Sequence, residues 1–178
     1  MISTWAKAKV PDIMTLFSWF IIYSYIGWVY ETIYCSMDLG RYVDRGFLNG
    51  PLCPIYGLCI VSAVVLFTNK FKSNITLFLA CALLASALEY ITSLWMELVF
   101  GRRWWNYSDK LLNINGRICI EAAFVFGICG VLVVRYLHPR MVRYINENFH
   151  VSTVKKANGA IIFILILDIL VTFQMNLQ

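Results

Sequence analysis

The chain has 178 residues, of which 60% are hydrophobic and only 14% are charged, and its net charge is +5. Soluble domains usually carry about 25% charged residues, so this composition excludes an ordinary soluble protein and indicates one embedded in a membrane. The basic residues lie at the ends of apolar stretches, where they orient a membrane protein, so the positive charge does not indicate a nucleic-acid partner. We expect one transmembrane domain over residues 1–178.

Five apolar stretches follow one another along the chain, and each predicts a membrane-crossing helix. A spanning helix needs about 20 mostly apolar residues, and the helix suits lipid because its backbone polar groups pair within the segment. The predicted helices cover about residues 13–36, 52–68, 75–100, 118–137 and 160–173. The predicted fold class is therefore an all-α transmembrane bundle of about five helices, the last of which is short.

Basic residues are unequally divided between the two predicted sides. Six lie on the side of the two long loops, and nine lie on the side of the N-terminus. The nine are Lys7, Lys9, Lys70, Lys72, Arg135, Arg140, Arg143, Lys155 and Lys156. Cytoplasmic loops carry the excess of lysine and arginine, so we expect a cytoplasmic N-terminus.

The first two predicted helices resemble the next two in sequence. When the chain is shifted by 66 residues, Glu31 aligns with Glu97, and "NGPLC" (49–53) aligns with "NGRIC" (115–119). A parallel repeat of two hairpins would place a site where the two halves meet, with the fifth helix outside the symmetry. The alternative is that so few identities align by chance.

Acidic residues inside the predicted helices are the main functional signal. A charge at the centre of a spanning helix costs about 2.5–3.5 kcal/mol on insertion scales, so such residues usually face a cavity or a partner. The acids are Glu31, Glu89, Glu97, Glu121 and Asp168. On the third helix, the spacing of Ser86, Glu89, Ser93 and Glu97 forms one polar stripe, which should face the interior of the bundle.

Two interpretations of these acids remain open. Arginines in the two long loops could pair with Glu31, Glu97 and Glu121 and merely hold the loops on the helices. That interpretation explains Glu89 less well, because Glu89 lies near the middle of its helix. A polar cavity that faces outward would explain all four of these glutamates. Trp104 and Trp105 are typical of the headgroup region, and could alternatively form an aromatic wall for a ligand.

Other common chemistry has little support in the sequence. His138 and His150 lie in a predicted basic loop away from the acids, and the six cysteines lack metal-binding spacing, so we expect no metal ion and no cofactor. No Walker motif occurs, so any use of ATP would require another subunit.

Several segments together resemble a known family of small bacterial multi-pass membrane proteins, the CmpB or type IV group of ABC-transporter permeases. The segments are "YSYIGWVYE" (23–31), "RGFLNGPLCPIYG" (45–57), "LEYITSLWMELVF" (88–100), "WWNYS" (104–108) and "NINGRICIE" (113–121). The resemblance implies a transport component in a bacterial cell membrane. The family pattern has aspartate where this chain has Asn106, so a role for a charge at that position is in doubt.

We therefore predict a permease-like or substrate-binding subunit with an outward-facing polar cavity. The predicted lining residues are Glu31, Arg45, Glu89, Ser93, Glu97, Trp104, Trp105, Arg117 and Glu121. Five helices are few for a complete transporter, so membrane lipid and either a second copy or other transporter subunits are the expected partners. The alternatives are a membrane-embedded enzyme that modifies lipids with paired carboxylates, and a non-catalytic scaffold or regulator. An enzyme is the less favoured of these classes.

Overall fold

The computed structural model describes residues 11–177, and its helices form a bundle of five rods. The helices are α1 (Ile13–Leu39), α2 (Pro54–Phe67), α3 (Asn74–Phe100), α4 (Ile120–Leu132), α5 (His138–Asn148) and α6 (Val151–Asn176). A π-helical turn, Val133–Leu137, joins α4 to α5 without a break. This architecture confirms the predicted all-helical bundle. Lys7 and Lys9, which entered the predicted charge balance, lie outside the described residues.

Four of the rods are long and apolar enough to cross a membrane by length and composition. They are α1, α3, α6 and the continuous helix Ile120–Asn148. The remaining helix, α2, is apolar but has only 14 residues. At about 1.5 Å per residue its length is about 21 Å, which is less than the hydrocarbon thickness of about 30 Å. The irregular loop before α2 therefore lies where a longer helix would continue.

The helix ends follow from local sequence. The Asp12 and Ser73 side chains cap the first backbone N–H groups of α1 and α3, and Pro54 occupies the first position of α2, which needs no N–H donor. Gly40 and Gly101 end α1 and α3 with φ values of 62° and 68°. Glycine adopts this left-handed conformation without the steric cost of a side chain.

The fourth rod differs from the prediction. The sequence predicted a helix that ends at residue 137 and a basic loop after it, but the helix continues to Asn148. Pro139 has no N–H and cannot bond to the carbonyl of Arg135. The turn before it widens, and the His138 N–H bonds to the Val133 carbonyl. A π turn thus absorbs the proline that would otherwise end the helix.

His138 consequently lies in the bundle and not in a loop, so that part of the prediction was wrong. Its side chain is buried, its Nδ1 lies 3.0 Å from the Tyr23 hydroxyl, and its ring packs edge-on against Trp19 at 4.3 Å between centroids. His150 directly precedes α6. The histidine therefore joins α1 to α5 at the end of the bundle away from the long loops.

The last helix is longer than predicted, because α6 begins at Val151 and not near residue 160. Its polar first turns resemble a loop in sequence, yet Asn158 is buried and donates to the Met14 carbonyl of α1 at 2.9 Å. Near its other end, Asp168 accepts hydrogen bonds from the loop before α2. These polar contacts attach α6 to the outside of the bundle.

Small residues allow close packing within each hairpin. In the α1–α2 hairpin, a Cβ added at Gly57 would lie 2.2 Å from the Ser24 hydroxyl oxygen. In the α3–α4 hairpin, a Cβ at Gly130 would lie 2.4 Å from the Cys81 Cβ. Helices in membranes commonly associate through such close approaches. Under the 66-residue shift Gly57 does not align with Gly130, so these close contacts do not support the repeat. The repeat of the two hairpins stays a prediction.

The bundle has two distinct ends. We call the end with the loops 40–53 and 101–119 the loop end, and the end with the α2–α3 turn and α5 the basic end. The hydrophobic core lies toward the basic end. Its buried members are Trp19, Tyr23, Ala63, Val64, Leu77, Cys81, Val133, Val134 and Val142. A cavity lies between the same helices and extends from the loop end to this core.

Candidate functional site

A cavity of about 490 Å³ lies between α1, α2, α3 and α4, below the two long loops. Its wall on α3 extends from Cys81 to Met96, which corresponds to about 22 Å along the helix axis. Small-molecule sites usually have volumes of about 300–1,000 Å³. The cavity therefore has the size and the depth of a ligand site within the membrane part of the bundle.

The walls of the cavity are mainly apolar, whereas the sequence predicted a polar cavity. Toward the basic end the lining consists of apolar groups and cysteine thiols. Among these residues are Ile60, Ala63, Cys81, Leu84, Ala85 and Val133. The charged residues of the lining are confined to the other half, and they are Glu31, Arg45 and Glu89. The cavity is thus amphipathic, with a polar end beneath the loops.

Glu89 is the deepest charged residue of the cavity, and only 6% of its surface is exposed. Its Oε1 accepts a hydrogen bond from the Tyr107 hydroxyl at 3.3 Å. Its Oε2 is buried and has no hydrogen-bond partner within residues 11–177. None of the ion pairs in this part of the chain includes Glu89. A buried carboxylate with a free oxygen is costly unless something else satisfies it.

Tyr107 brings the second long loop over the cavity. Burial raises the pKa of its phenol well above the ordinary value, so the hydroxyl stays protonated and donates to Glu89. The Tyr107 N–H in turn bonds to the Gly116 carbonyl at 2.8 Å, which fixes the turn of the loop. The loop therefore supplies the one hydrogen-bond donor that the described residues offer to Glu89.

Glu31 and Arg45 form an ion pair at the rim of the cavity. Arg45 Nη2 lies 3.0 Å from Glu31 Oε1, and Nε lies 3.3 Å from the same oxygen. Burial by itself would lower the pKa of Arg45, but the Glu31 carboxylate holds it above its usual value. The pair attaches the first long loop to α1 and neutralises both charges.

Cys53 completes the contacts of Glu31. Its Sγ lies 3.7 Å from Glu31 Oε2. Burial is the main cause that raises the pKa of the thiol to about 12, and the nearby Glu31 carboxylate is the second. The thiol therefore stays protonated at neutral pH and acts as a weak donor, not as a nucleophile. The backbone N–H of Cys53 donates to the Ser24 carbonyl at 3.1 Å, which seats the start of α2 against α1.

Glu97 lies on the polar stripe of α3 but does not line the cavity. It accepts from Arg103 Nε at 2.9 Å and forms a second ion pair with Arg117, whose side chain is buried. Arg117 also donates to the Ser93 hydroxyl at 3.0 Å. These four residues, Ser93, Glu97, Arg103 and Arg117, form a group that we call the arginine clamp. The clamp holds the second long loop on α3.

Further contacts extend the clamp into the loop. Arg103 Nη1 donates to the Asn115 carbonyl at 2.9 Å, and Trp105 Nε1 donates to the Arg117 carbonyl at 2.9 Å. Asn115 Nδ2 donates to the Tyr90 hydroxyl at 2.9 Å. Asn115 has a φ of 53°. The loop is therefore folded onto α3 by side chains as well as by its own turns.

The remaining predicted site residues separate into two groups. Trp104 and Trp105 both line the cavity at its loop end, and the Arg102 guanidinium lies 4.6 Å from the centre of the Trp104 ring. Glu121 is exposed and pairs with Lys110 at 3.5 Å on the surface of the second loop. Of the nine predicted residues, five line the cavity. These five are Glu31, Arg45, Glu89, Trp104 and Trp105.

Asn106, where the resemblance led us to expect an aspartate, has a structural role. It is exposed, and its Oδ1 accepts hydrogen bonds from the Ser108 N–H at 3.0 Å and the Ser108 hydroxyl at 2.6 Å. Both bonds use only the side-chain oxygen, which an aspartate also has. The difference at this position is therefore compatible with the same loop turn.

Sequence reasoning missed three residues that shape the site. Tyr107 follows the tryptophan pair in the "WWNYS" segment, which marked it only as part of a motif. Tyr56 projects from α2 between α1 and α4, where its ring meets Tyr30 and Phe126. Asp168 was recognised as an acid in a span, but not as the acceptor for the Asn49 and Gly50 N–H groups at 3.1 and 2.9 Å.

Comparison with known proteins supplies the family. The family model described as "Putative ABC-transporter type IV" matches residues 18–173. No curated protein and no solved structure matches the chain. The match covers α2 to α5 and both long loops completely, and most of α1 and α6. The four long apolar helices fit a membrane transport component. The chain is a membrane protein that belongs to the ABC-transporter type IV (CmpB) family.

Proposed function

We propose that the chain is a substrate-binding transport subunit, and that its cavity receives the substrate at Glu89. The single observation that carries this proposal is the buried Glu89 carboxylate, with one oxygen free in a cavity of ligand size. Ionisable groups within membrane bundles usually mark substrate or ion pathways. Binding of a donor group would compensate the cost of burying this oxygen.

The proposed transport subunit would need partner subunits for ATP hydrolysis and for a complete pathway. Its sequence has no Walker motif, so an ATP-hydrolysing subunit would drive transport from outside this chain. Five helical rods are few for a complete transport pathway, so a second copy or another membrane subunit would complete it within the lipid. We place the protein in a bacterial cell membrane with its N-terminus in the cytoplasm, since the sequence assigns nine of the fifteen lysines and arginines to the side of the N-terminus.

The arginine clamp favours a structural role for part of the acidic cluster. Glu97 is satisfied by Arg103 and Arg117, and Glu121 by Lys110. The scaffold interpretation therefore accounts for these two acids. It does not account for Glu89, so substitution of Glu89 separates the two functions.

Cells of the source bacterium provide the test. We would delete the chromosomal gene, restore it as the wild type, Glu89→Gln or Glu121→Gln, and compare small molecules inside the cells and in the medium. We expect the deletion to redistribute at least one compound, and Glu89→Gln to reproduce that change. The Glu121→Gln control, which alters an exposed pair, should match the wild type.

Two outcomes would contradict the proposal. If deletion changes the distribution of no compound, the protein is not a transport subunit under those conditions of growth. If deletion has an effect but Glu89→Gln restores transport fully at equal protein amount in the membrane, the cavity is not the substrate site.

A further inference from the structure

We propose that the cavity binds a single-chain amphiphile with an ammonium head group, which reaches Glu89 sideways from the bilayer between α1 and α4. The inference rests on the proposed function, because it names the substrate class of the same cavity. Three independent features of the structure support it: the exposed rim of the cavity, the apolar stretch beyond Glu89, and the charge of the polar end.

The rim between α1 and α4 is exposed although it belongs to the cavity. Ile26 and Tyr30 on α1 line the cavity and are 52% and 51% exposed. Val125 and Leu132 on α4 line it as well and are 42% and 47% exposed, and Cys129 between them is also exposed. Residues that face both the cavity and the outside indicate an opening at the side of the bundle. In a membrane this opening faces the acyl chains.

Beyond Glu89 the cavity continues into the bundle as an apolar channel. From Glu89 to Cys81 the α3 wall covers eight residues, or about 12 Å. Ile60, Leu84 and Val133 complete this part of the wall. A flexible apolar chain would fill such a narrow space and remove these side chains from water. The total volume of about 490 Å³ suits one ligand of ordinary small-molecule size.

The polar end of the cavity favours a cation that donates hydrogen bonds. Its charged groups are two carboxylates and one guanidinium, and Arg45 already neutralises Glu31. The remaining charge is that of Glu89, whose Oε2 can accept a hydrogen bond. Tyr107 and Trp104 contribute aromatic rings to the lining at the polar end of the cavity. Aromatic rings attract ammonium groups. An anionic head group would instead meet a carboxylate.

Photolabelling in nanodiscs of phosphatidylcholine provides the test. The probe is a long-chain primary alkylamine with a diazirine in its chain, and the comparison probe has a sulfate head on the same chain. After irradiation, mass spectrometry locates the labelled residues. We expect the amine to label Ile60 and Leu84 from within the cavity, and unlabelled alkylamine to compete for these positions. The sulfate probe should label them much less.

Variants separate the head-group contact from the side opening. Glu89→Gln should reduce cavity labelling by the amine about tenfold, as expected for the loss of one charge-assisted hydrogen bond. Cys129→Trp should fill the opening and slow the labelling. Ile128→Trp is the matched control, because Ile128 is the exposed neighbour of Cys129 and does not line the cavity. Each variant is used only if it elutes as a single species in detergent.

The outcomes that overturn the proposal are distinct. Equal labelling by amine and sulfate, or no effect of Glu89→Gln, would overturn the ammonium assignment. Equal labelling rates in Cys129→Trp and Ile128→Trp would overturn access from the side. If the amine binds as expected but gene deletion redistributes no compound, the transport function fails while the ligand site stands. If transport depends on Glu89 but the amine does not label the cavity, the transport function stands and the ligand class is wrong.

Discussion

Glu89 and Glu97 lie two turns apart on the same polar stripe of α3, yet their surroundings differ. Glu97 is about one-third exposed and accepts from two arginines, whereas Glu89 is 94% buried and accepts only from Tyr107. The arginines come from the loop end, and Glu89 lies too deep in the helix for the clamp. One acid is therefore part of the scaffold, and the other is left with a free oxygen in the cavity.

The difference teaches how to separate structural from functional charges in a membrane bundle. A charge that is fully paired contributes to stability when its partners are intact, and removal of one partner leaves the other uncompensated. A charge that lacks a partner in a cavity contributes little to stability, so its presence indicates a functional role. The predictions below run from the largest expected change in melting temperature to the smallest.

Arg117→Ala should break the arginine clamp. The buried guanidinium bonds to Ser93 and Glu97, and such a loss costs on the order of a few kcal/mol. For a chain of this length the melting temperature should fall by about 5–10 °C, as measured by the fraction of detergent-solubilised protein that stays monodisperse after heating. Lys110→Ala, which removes only the exposed partner of Glu121, is the control. Equal melting temperatures of the two variants would refute the structural role of the clamp.

Arg45→Ala should have a smaller effect on stability and a different effect on the cavity. Arg45 pairs with Glu31 through a partly exposed contact, so we expect the melting temperature to fall by about 3–6 °C. The unpaired Glu31 carboxylate would then add negative charge to the cavity, so photolabelling by the alkylamine should persist or increase. Arg41→Ala, an exposed position on the same loop, is the control. Loss of amine labelling in a folded Arg45→Ala protein would contradict this assignment of charge.

Asp168→Asn should weaken the attachment of α6 to the first long loop. The carboxylate accepts from the Asn49 and Gly50 N–H groups with different oxygens. Asparagine keeps one acceptor and presents a donor in place of the other, so the melting temperature should fall by about 2–4 °C. Gln174→Ala on the exposed surface of α6 serves for comparison. An unchanged melting temperature would mean that these two bonds do not hold α6.

Glu89→Gln should leave the melting temperature within about 2 °C of the wild type or raise it, because a neutral amide is easier to bury than an unpaired carboxylate. The same variant should lose transport, and amine labelling of the cavity should fall about tenfold. Glu121→Gln, at an exposed pair, should change neither property. A fall as large as that of Arg117→Ala would show that Glu89 belongs to the scaffold, and the contrast with Glu97 would disappear.

Much of the helical architecture was predictable because lipid leaves a chain few options. Long apolar stretches must form helices, and the positions of α1 and α3 follow from composition and capping residues. Pro139 misled the prediction of the fourth helix, since proline usually ends a helix unless a wider turn accommodates it. The start of α6 was missed because its polar turns are buried only through contacts with α1, such as that of Asn158.

The site was predictable in part. Helical periodicity and depth singled out Glu89 as the acid that nearby arginines explain least. The same reasoning could not show that Arg117 turns back to Ser93 and Glu97, or that Tyr107 reaches Glu89, because both arise from the folding of a long loop. The apolar wall of the cavity was also missed, since an apolar residue in a membrane helix gives no sequence signal of whether it faces lipid, a neighbour or an empty space.

The sequence by itself determined that the chain crosses a membrane as a helical bundle, that acids lie on the inner side of α3, and which family it resembles. These properties depend on hydrophobicity and on the helical period, which are local. Only the tertiary structure decided that Glu97 is paired and Glu89 is not, and that the cavity has an apolar channel and an exposed rim between α1 and α4. Those properties depend on distances between residues far apart in the chain, which loop folding and helix packing set.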